Sequence, residues 1–466
     1  VLRAVALVLL AAKLVLLVLA HPFMDETYYF MWGRHLQLSY FDHPSLVGWT
    51  QWLAGAVFGG TILGLRAMVV VTLFGDLALL YLLARRTAGD DWRWTFWTSA
   101  SLFLATPILF GLSSGALPDH LLMFFVLLAL YAVGRLREDI GQARWLYLAA
   151  LAIGCAPLSK YTGALLGAAA VLYLVTTPAV RPLFRSPHLY LAALLALVLQ
   201  LPVLIWNLQH DLASFGFIVG GRQALHAAFD LSGVSGFLLG ALAVLSPFIL
   251  VPIARFLFAT NDGHGFARLV FWLSTLGFLG ASMFTNILIH WNVVAYIAVL
   301  PFLAPYFRSR LLTGGQMIYG VLAIALAAVN YAVVPITALI SHTDQTSGWS
   351  YGWDEIAAAI GFAQQGESIG FVAATDYALA SPLAFALHDA GVTSLSPKRD
   401  AYDDWFDPEV HTGQNALIVA DQWRPLSDTV KAQFASVTEI RSLDIVRFGR
   451  ALDHYTIYLA QDFAPN

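Results

Sequence analysis

Apolar residues in this chain come in long unbroken runs instead of alternating with polar ones. The runs fall at residues 2–20, 62–84, 94–111, 119–135, 145–160, 162–178, 188–206, 236–256, 267–285, 289–306 and 313–340. Most are about 17–25 residues long, the length that crosses a bilayer as an α-helix. The pattern predicts an all-α polytopic membrane bundle of about eleven transmembrane helices. A transmembrane barrel would show short alternating segments instead. The first run has no Ala-x-Ala at its end, so it reads as a retained helix and not as a secretion signal.

The 21–61 segment is too long for a simple turn. Residues 24–37 and 45–58 mix apolar, aromatic and polar side chains and read as two short juxtamembrane helices. Tyr28, Tyr29, Trp32, Trp49 and Trp52 would sit at headgroup level. Pro44 is placed to open the second helix. After about residue 341 the pattern changes. Ser, Asp, Gly and Thr become common, and the apolar runs shorten to strand length at 368–374, 416–420, 445–448 and 455–460. Helical stretches at 376–389 and 426–435 intervene, as in a small α/β domain. The expected division is a membrane domain over 1–340 and a soluble α/β domain over 341–466. Thr375-Asp376-Tyr377, between a strand and a helix, reads as a helix N-cap at Thr375 or Asp376 in preference to a binding turn.

Basic residues fall in alternate connecting loops. They are Arg85, Arg86 and Arg93, then Arg135, Arg137 and Arg144, Arg181 and Arg185, Arg255 and Arg268, and Arg308 and Arg310. The positive-inside rule puts these loops in the cytoplasm. The 21–61 segment, the 112–118 turn, Lys160, the 207–235 loop and everything after 341 then face the outside. Composition agrees with the membrane reading: 59% of the 466 residues are hydrophobic and 12% are charged, with mean hydropathy +0.70. Soluble domains carry about 25% charged residues. A net charge of −4 gives no support to a nucleic-acid partner. The single Cys155 allows no disulfide within the chain.

The ionisable groups of the outer loops are the candidate chemistry, because charge beside hydrocarbon is costly to keep. Asp25 and Glu26 are adjacent, about 100° apart if helical, so one can face a cavity while the other caps or pairs with a base. Asp119, in Pro118-Asp119-His120, sits at the same membrane face. Two carboxylates there can divide general-base and positioning work. Lys160 breaks the inside rule. With Ser159, Tyr161 and Thr162 around it, it suits a phosphate unless it only snorkels. Arg222 is a second external cation, near His226. Asp42 and His43 can bind a divalent cation or polarise a phosphate, and His43 can equally be an interfacial histidine with no ligand role.

These residues resemble the polytopic glycosyltransferases of the dolichyl-phosphate-mannose protein mannosyltransferase type. The bacterial branch of lipid A aminoarabinose and galacturonic acid transferases is the nearer match. The resemblance rests on Asp25-Glu26-Thr27-Tyr28-Tyr29, Tyr40-Phe41-Asp42-His43-Pro44, Pro118-Asp119-His120, Ser159-Lys160-Tyr161 and the Asn207–Phe215 loop. It extends more weakly to Gly352-Trp353-Asp354-Glu355 and Thr375-Asp376-Tyr377. Relatives often carry Glu-Lys-Pro-Pro where this chain has Asp42-His43-Pro44-Ser45.

The resemblance implies a GT-C fold and an inverting glycosyltransferase at the outer face of the cytoplasmic membrane. The donor would be a polyprenyl-phosphate sugar, and the acceptor a lipid, glycan or protein. Asp25, Asp119 and Glu26 would be catalytic. Lys160, Arg222, Tyr28, Tyr40, Tyr161 and His120 would bind substrate, and Asp42 and His43 a metal if one is used, with His210 or His226 as the accompanying histidine. The alternatives are a transporter or flippase of a lipid-linked sugar, and a transferase that makes the polyprenyl-phosphate sugar. Transporters place ionisable sites at the membrane midplane, whereas these lie at one face.

Overall fold

The computed structural model describes residues 1–222, 231–260, 262–340, 342–366 and 368–465, and of Gly221, Arg222, Asp262 and Ser347 the backbone alone. His226 lies outside the described residues. The chain forms two compact units. One gathers Val1–Val15, Leu38–Val47 and Met68–Ile324; the other gathers Leu16–Gln37, Gly48–Ala67 and Ala325–Asn466.

The helices up to residue 209 are α1 (Leu2–Leu19), α2 (Met24–Arg34), α3 (Leu46–Phe58), α4 (Ile62–Thr87), α5 (Trp92–Ala105), α6 (Pro107–Leu112), α7 (Pro118–Glu138), α8 (Ala143–Ser159), α9 (Ala164–Thr176), α10 (Pro187–Val198) and α11 (Leu201–Gln209). The two short helices expected in the 21–61 segment are α2 and α3, although α3 starts two residues after Pro44.

Among the described residues, five helical segments are long and apolar enough to cross a membrane: Leu2–Leu19, Ile62–Thr87, Pro118–Glu138, Pro187–Gln209 and Arg310–Ala332. The number rises to seven if each of two bent pairs counts as one span. Eleven apolar runs therefore yield fewer uninterrupted helices, and prolines are a main cause. Pro107 forces Thr106 into an extended conformation and splits the 94–111 run into α5 and α6. Pro178 and Pro247 stand at the two bends, of 96° and 104°. The 289–306 run breaks into short turns around Val293–Val299.

In the first unit, Lys13 closes the buried C-terminal end of α6. Its Nζ donates to the Phe110 carbonyl at 2.7 Å, Ser113 Oγ at 2.9 Å and Ser114 Oγ at 2.7 Å. These bonds satisfy a helix C-terminus that has no further turn to pair with. Asp76 of α4 is fully buried and within electrostatic reach of Lys13. Both charges lie inside apolar runs.

The second unit holds a five-stranded sheet of order β2-β1-β3-β5-β4, with β1 (Phe371–Ala374), β2 (Thr393–Ser394), β3 (Ala416–Asp421), β4 (Phe434–Arg447) and β5 (Arg450–Phe463). Strands β2, β1 and β3 run parallel; β5 pairs antiparallel with both β3 and β4. The buried runs of β1 and β3 carry the core with Phe434, Ala460 and Phe463. Asp376 caps the helix Tyr377–Leu387 by accepting the Ala378 N–H at 2.9 Å, as the N-cap reading expects. The 14-residue strands of the β4–β5 hairpin exceed the short runs legible at 445–448 and 455–460. Its turn, Phe448-Gly449, has φ of 50° and 70°, which suits glycine at the second position.

Candidate functional site

The first unit brings Asp119 and Lys160 together. Asp119 lies in the first turn of α7, after the extended Leu117 and Pro118. Proline at that position costs no hydrogen bond, and a carboxylate there is favoured by the helix N-terminus. Lys160 follows the last turn of α8, with its N–H on the Ala156 carbonyl at 3.1 Å. Lys160 Nζ then donates to both Asp119 oxygens at 2.8 Å. Asp119 is 3% exposed and Lys160 4%. Asp119 is therefore no N-cap: its carboxylate turns to the lysine. Lys160 does not simply snorkel either, since its ammonium is buried on a carboxylate.

The chain behind Lys160 turns tightly. Gly163 N–H returns to the Lys160 carbonyl at 2.8 Å. A Cβ at Gly163 would collide with the Ala156 carbonyl and the Pro157 nitrogen. Only glycine lets this turn pack against the end of α8.

Other expected residues lie in the same unit as the pair. His120 Nδ1 hydrogen-bonds Thr72 Oγ1 of α4 at 2.8 Å. Tyr161 OH shares a 2.7 Å bond with Ser214 Oγ, and its ring meets Phe215 edge-on. Asn207 Oδ1 accepts the Phe215 N–H at 3.2 Å, which folds the 207–215 loop. Phe41 packs on Phe217 with ring centres 4.6 Å apart. Tyr40 is fully buried in the same unit. Three loops distant in sequence, at 39–43, 160–163 and 207–217, thus meet in one unit. The backbone of Arg222 ends the helical turn Phe217–Arg222.

Asp25, Glu26 and Tyr28 belong to the other unit, on α2. The N-cap of α2 is Phe23, so neither acid caps with its own backbone position. Glu26 Oε2 instead accepts the Phe23 N–H at 3.0 Å. Arg66 grips the same carboxylate, Nε to Oε1 at 2.8 Å and Nη2 to Oε2 at 2.6 Å. The expectation that one of the adjacent acids caps or pairs with a base is met by Glu26, which does both. Its assignment as a catalytic group needs correction: both oxygens are held by a guanidinium at 2% exposure, so it fixes the first turn of α2. Tyr28 is also a packing residue. Its hydroxyl accepts the Ala401 N–H at 3.0 Å, and its ring lies 4.5 Å from that of Tyr377.

A metal fits less well. Among the described residues, no three His, Cys, Asp or Glu side chains gather to hold an ion. Asp42 and His43 supply at most two ligands, and His210 Nδ1 engages the Trp206 carbonyl at 2.8 Å. Among the described residues the donor set does not make a divalent centre.

Sequence reasoning passed over Arg66, Lys13 and Asp76. Each is a charge inside an apolar run, and that placement was the signal available.

Residues 42–206 match the family model described as dolichyl-phosphate-mannose-protein mannosyltransferase. A lipid A galacturonosyltransferase, RgtD of Rhizobium johnstonii, is 27% identical over 59% of this chain. The match spans 58% of that relative's length. The fold is shared with ArnT of Cupriavidus metallidurans. The apo crystal structure gives a TM-score of 0.60 at 17% identity, and the structure with undecaprenyl phosphate gives 0.59 at 15%. In both, 97% of each chain is covered. The motif residues Asp42-His43-Pro44, Pro118-Asp119-His120 and Ser159-Lys160-Tyr161 all lie inside the family-matched region. Over residues 42–206 the chain is therefore similar to the dolichyl-phosphate-mannose-protein mannosyltransferases, and over nearly its whole length it has the fold of ArnT.

Proposed function

We propose that this chain is an inverting glycosyltransferase of about eleven membrane crossings that works at the outer face of the cytoplasmic membrane. It moves a sugar from a polyprenyl-phosphate donor to a lipid acceptor of the lipid A class. Residues 341–466 form its extracytoplasmic α/β domain. The observation that carries this reading is the buried Asp119–Lys160 pair, where two of the family motifs meet. ArnT, a neighbour in fold, binds undecaprenyl phosphate, and the relative RgtD acts on lipid A.

In the reaction, Asp25 takes the proton of the acceptor hydroxyl. The resulting oxygen attacks the anomeric carbon from the face opposite the phosphate. The bond from that carbon to the phosphate oxygen breaks, and its electron pair leaves with the polyprenyl phosphate. The anomeric centre inverts, and Asp25 later releases its proton to water. Lys160 and Arg222 stabilise the charge that builds on the departing phosphate. Asp119 aims the Lys160 ammonium and spares it the full cost of burial. His120, Tyr40 and Tyr161 shape the surrounding wall, and Glu26 is a positioning residue for Asp25.

The test is native mass spectrometry of the full chain in detergent with undecaprenyl phosphate added. Wild type should bind it and Lys160→Ala should lose it. Asp25→Asn should bind it and lose sugar transfer. An absence of binding by wild type would overturn the proposal.

A further inference from the structure

The second unit contains a cavity of about 410 Å³ that the proposed reaction does not use. That volume is within the range of about 300–1,000 Å³ typical of small-molecule sites. One wall is apolar and built from the ends of two membrane-spanning segments: Val18 and Leu19 of α1 and Ile62 of α4, joined by Phe385. The other wall is polar and carries His21, Ser350, Asp354, Glu355, His388 and Arg447. A cavity with these two walls fits an amphipathic molecule.

Its charge narrows the choice. The carboxylates of Asp354 and Glu355 face one guanidinium, Arg447, which is already paired with Glu355 at 2.7 Å. Burial, then Arg447, holds His21 below its ordinary value against the pull of both acids, so it adds no charge at neutral pH. Such walls repel a phosphate. Carboxylates accept hydrogen bonds from hydroxyl groups readily. Ser350 is 2% exposed, lines the cavity, and its Oγ has no hydrogen-bond partner among the described residues. A buried hydroxyl in that state calls for a polar guest. Trp353, also in the lining, offers a ring on which the apolar face of a sugar can stack.

We propose that this cavity seats an uncharged, hydroxyl-rich sugar headgroup of the acceptor lipid, with its chain along Val18, Leu19, Ile62 and Phe385. The proposal rests on the transferase reading above and adds to it where the acceptor is held. Asp354 and Glu355 accept from the sugar hydroxyls, and Ser350 completes the polar side.

The experiment uses the full chain in phosphatidylcholine nanodiscs with an octyl glucoside carrying a diazirine on its alkyl chain. A phosphocholine amphiphile with the same chain is the control. After photolysis, crosslinked peptides are located by mass spectrometry. The glucoside probe should label residues 18–22, 60–62 and 382–388 about tenfold more than the control, equivalent to about 1.4 kcal/mol of preference. Ala386→Trp fills the cavity from the helix that lines it, and Asp354→Asn replaces one exposed acceptor oxygen by a donor and removes the charge without touching the core. Each should lower that labelling at least about fivefold while undecaprenyl phosphate binding is kept. Equal labelling by both probes, or labelling unchanged in both variants, would overturn the proposal. So would displacement of the glucoside by undecaprenyl phosphate, which would make this the donor's seat. Failure of wild type to bind undecaprenyl phosphate strikes the transferase reading instead, and the glucoside labelling then still judges the cavity by itself.

Discussion

Arg66 ties Glu26 to the end of the first helix. Its guanidinium holds both Glu26 oxygens, and it also donates to the carbonyls of Leu17 at 3.1 Å, Ala20 at 2.9 Å and His21 at 3.2 Å. One side chain therefore satisfies the last turn of α1 and fixes the first turn of α2, where Asp25 sits. Arg66→Ala leaves a carboxylate buried without its counter-charge, which costs about 3–5 kcal/mol. A lysine there cannot supply the planar fork that reaches carboxylate and carbonyls together. Both variants should lower the thermal midpoint of the detergent-solubilised protein, alanine more than lysine. A midpoint equal to wild type in Arg66→Ala would show that the network adds nothing.

The Asp119–Lys160 pair separates structure from chemistry. Asp119→Asn strands the buried ammonium and should destabilise by about 3–5 kcal/mol. The double variant Asp119→Leu with Lys160→Met removes both charges and keeps volume, so it should recover most of that loss. It should still fail to bind undecaprenyl phosphate. Melting and native mass spectrometry on the same preparations check both halves. Lipid binding by the double variant would remove Lys160 from the proposed phosphate site.

Gly163→Ala tests the turn behind Lys160. The added methyl meets backbone atoms of Ala156 and Pro157, which cannot swing away as a flexible side chain could. Overpacking of this kind costs about 1–3 kcal/mol. Lys160 should shift with the turn, so lipid affinity should fall along with stability. A variant that melts earlier but binds normally would mean that the turn and the ammonium are uncoupled.

Much of this arrangement could be read from the chain before its structure. The acids and the lysine of the connecting loops stood out because charge is rare in a sequence this apolar, and α2 and α3 stood out by their aromatic residues. The Asp119–Lys160 contact could not be read. The two residues are 41 positions apart, and their meeting depends on how α7 packs on α8. Glu26 looked like a second catalytic acid because Arg66 was hidden in the greasy start of α4. The apolar runs do not map one to one onto unbroken helices, because hydropathy measures apolar length and does not register the breaks at Thr106 or Ser246. In the sheet, β4 exposes most of its length. Its polar outward residues hid a 14-residue strand behind a four-residue apolar signal.

Asp453 gives the second unit a pH dependence of definite sign. It lies on β5 at 2% exposure. One carboxylate oxygen accepts Gln422 Nε2 and the His454 N–H, both at 2.8 Å, while Oδ2 has no hydrogen-bond partner among the described residues. Burial raises its pKa to about 6, with Asp421 adding to the rise. Unfolding returns it to the ordinary value of 3.8. Between these values the folded chain holds a proton that the unfolded chain has released, so stability falls as pH rises through this window. Across the whole window the loss is about 3 kcal/mol at most. Asp453→Asn keeps the shape and removes the charge. Thermal melts between pH 4 and 7 should therefore show the variant gaining on wild type as pH increases. Parallel curves would mean that Asp453 titrates at its ordinary value and that water reaches Oδ2.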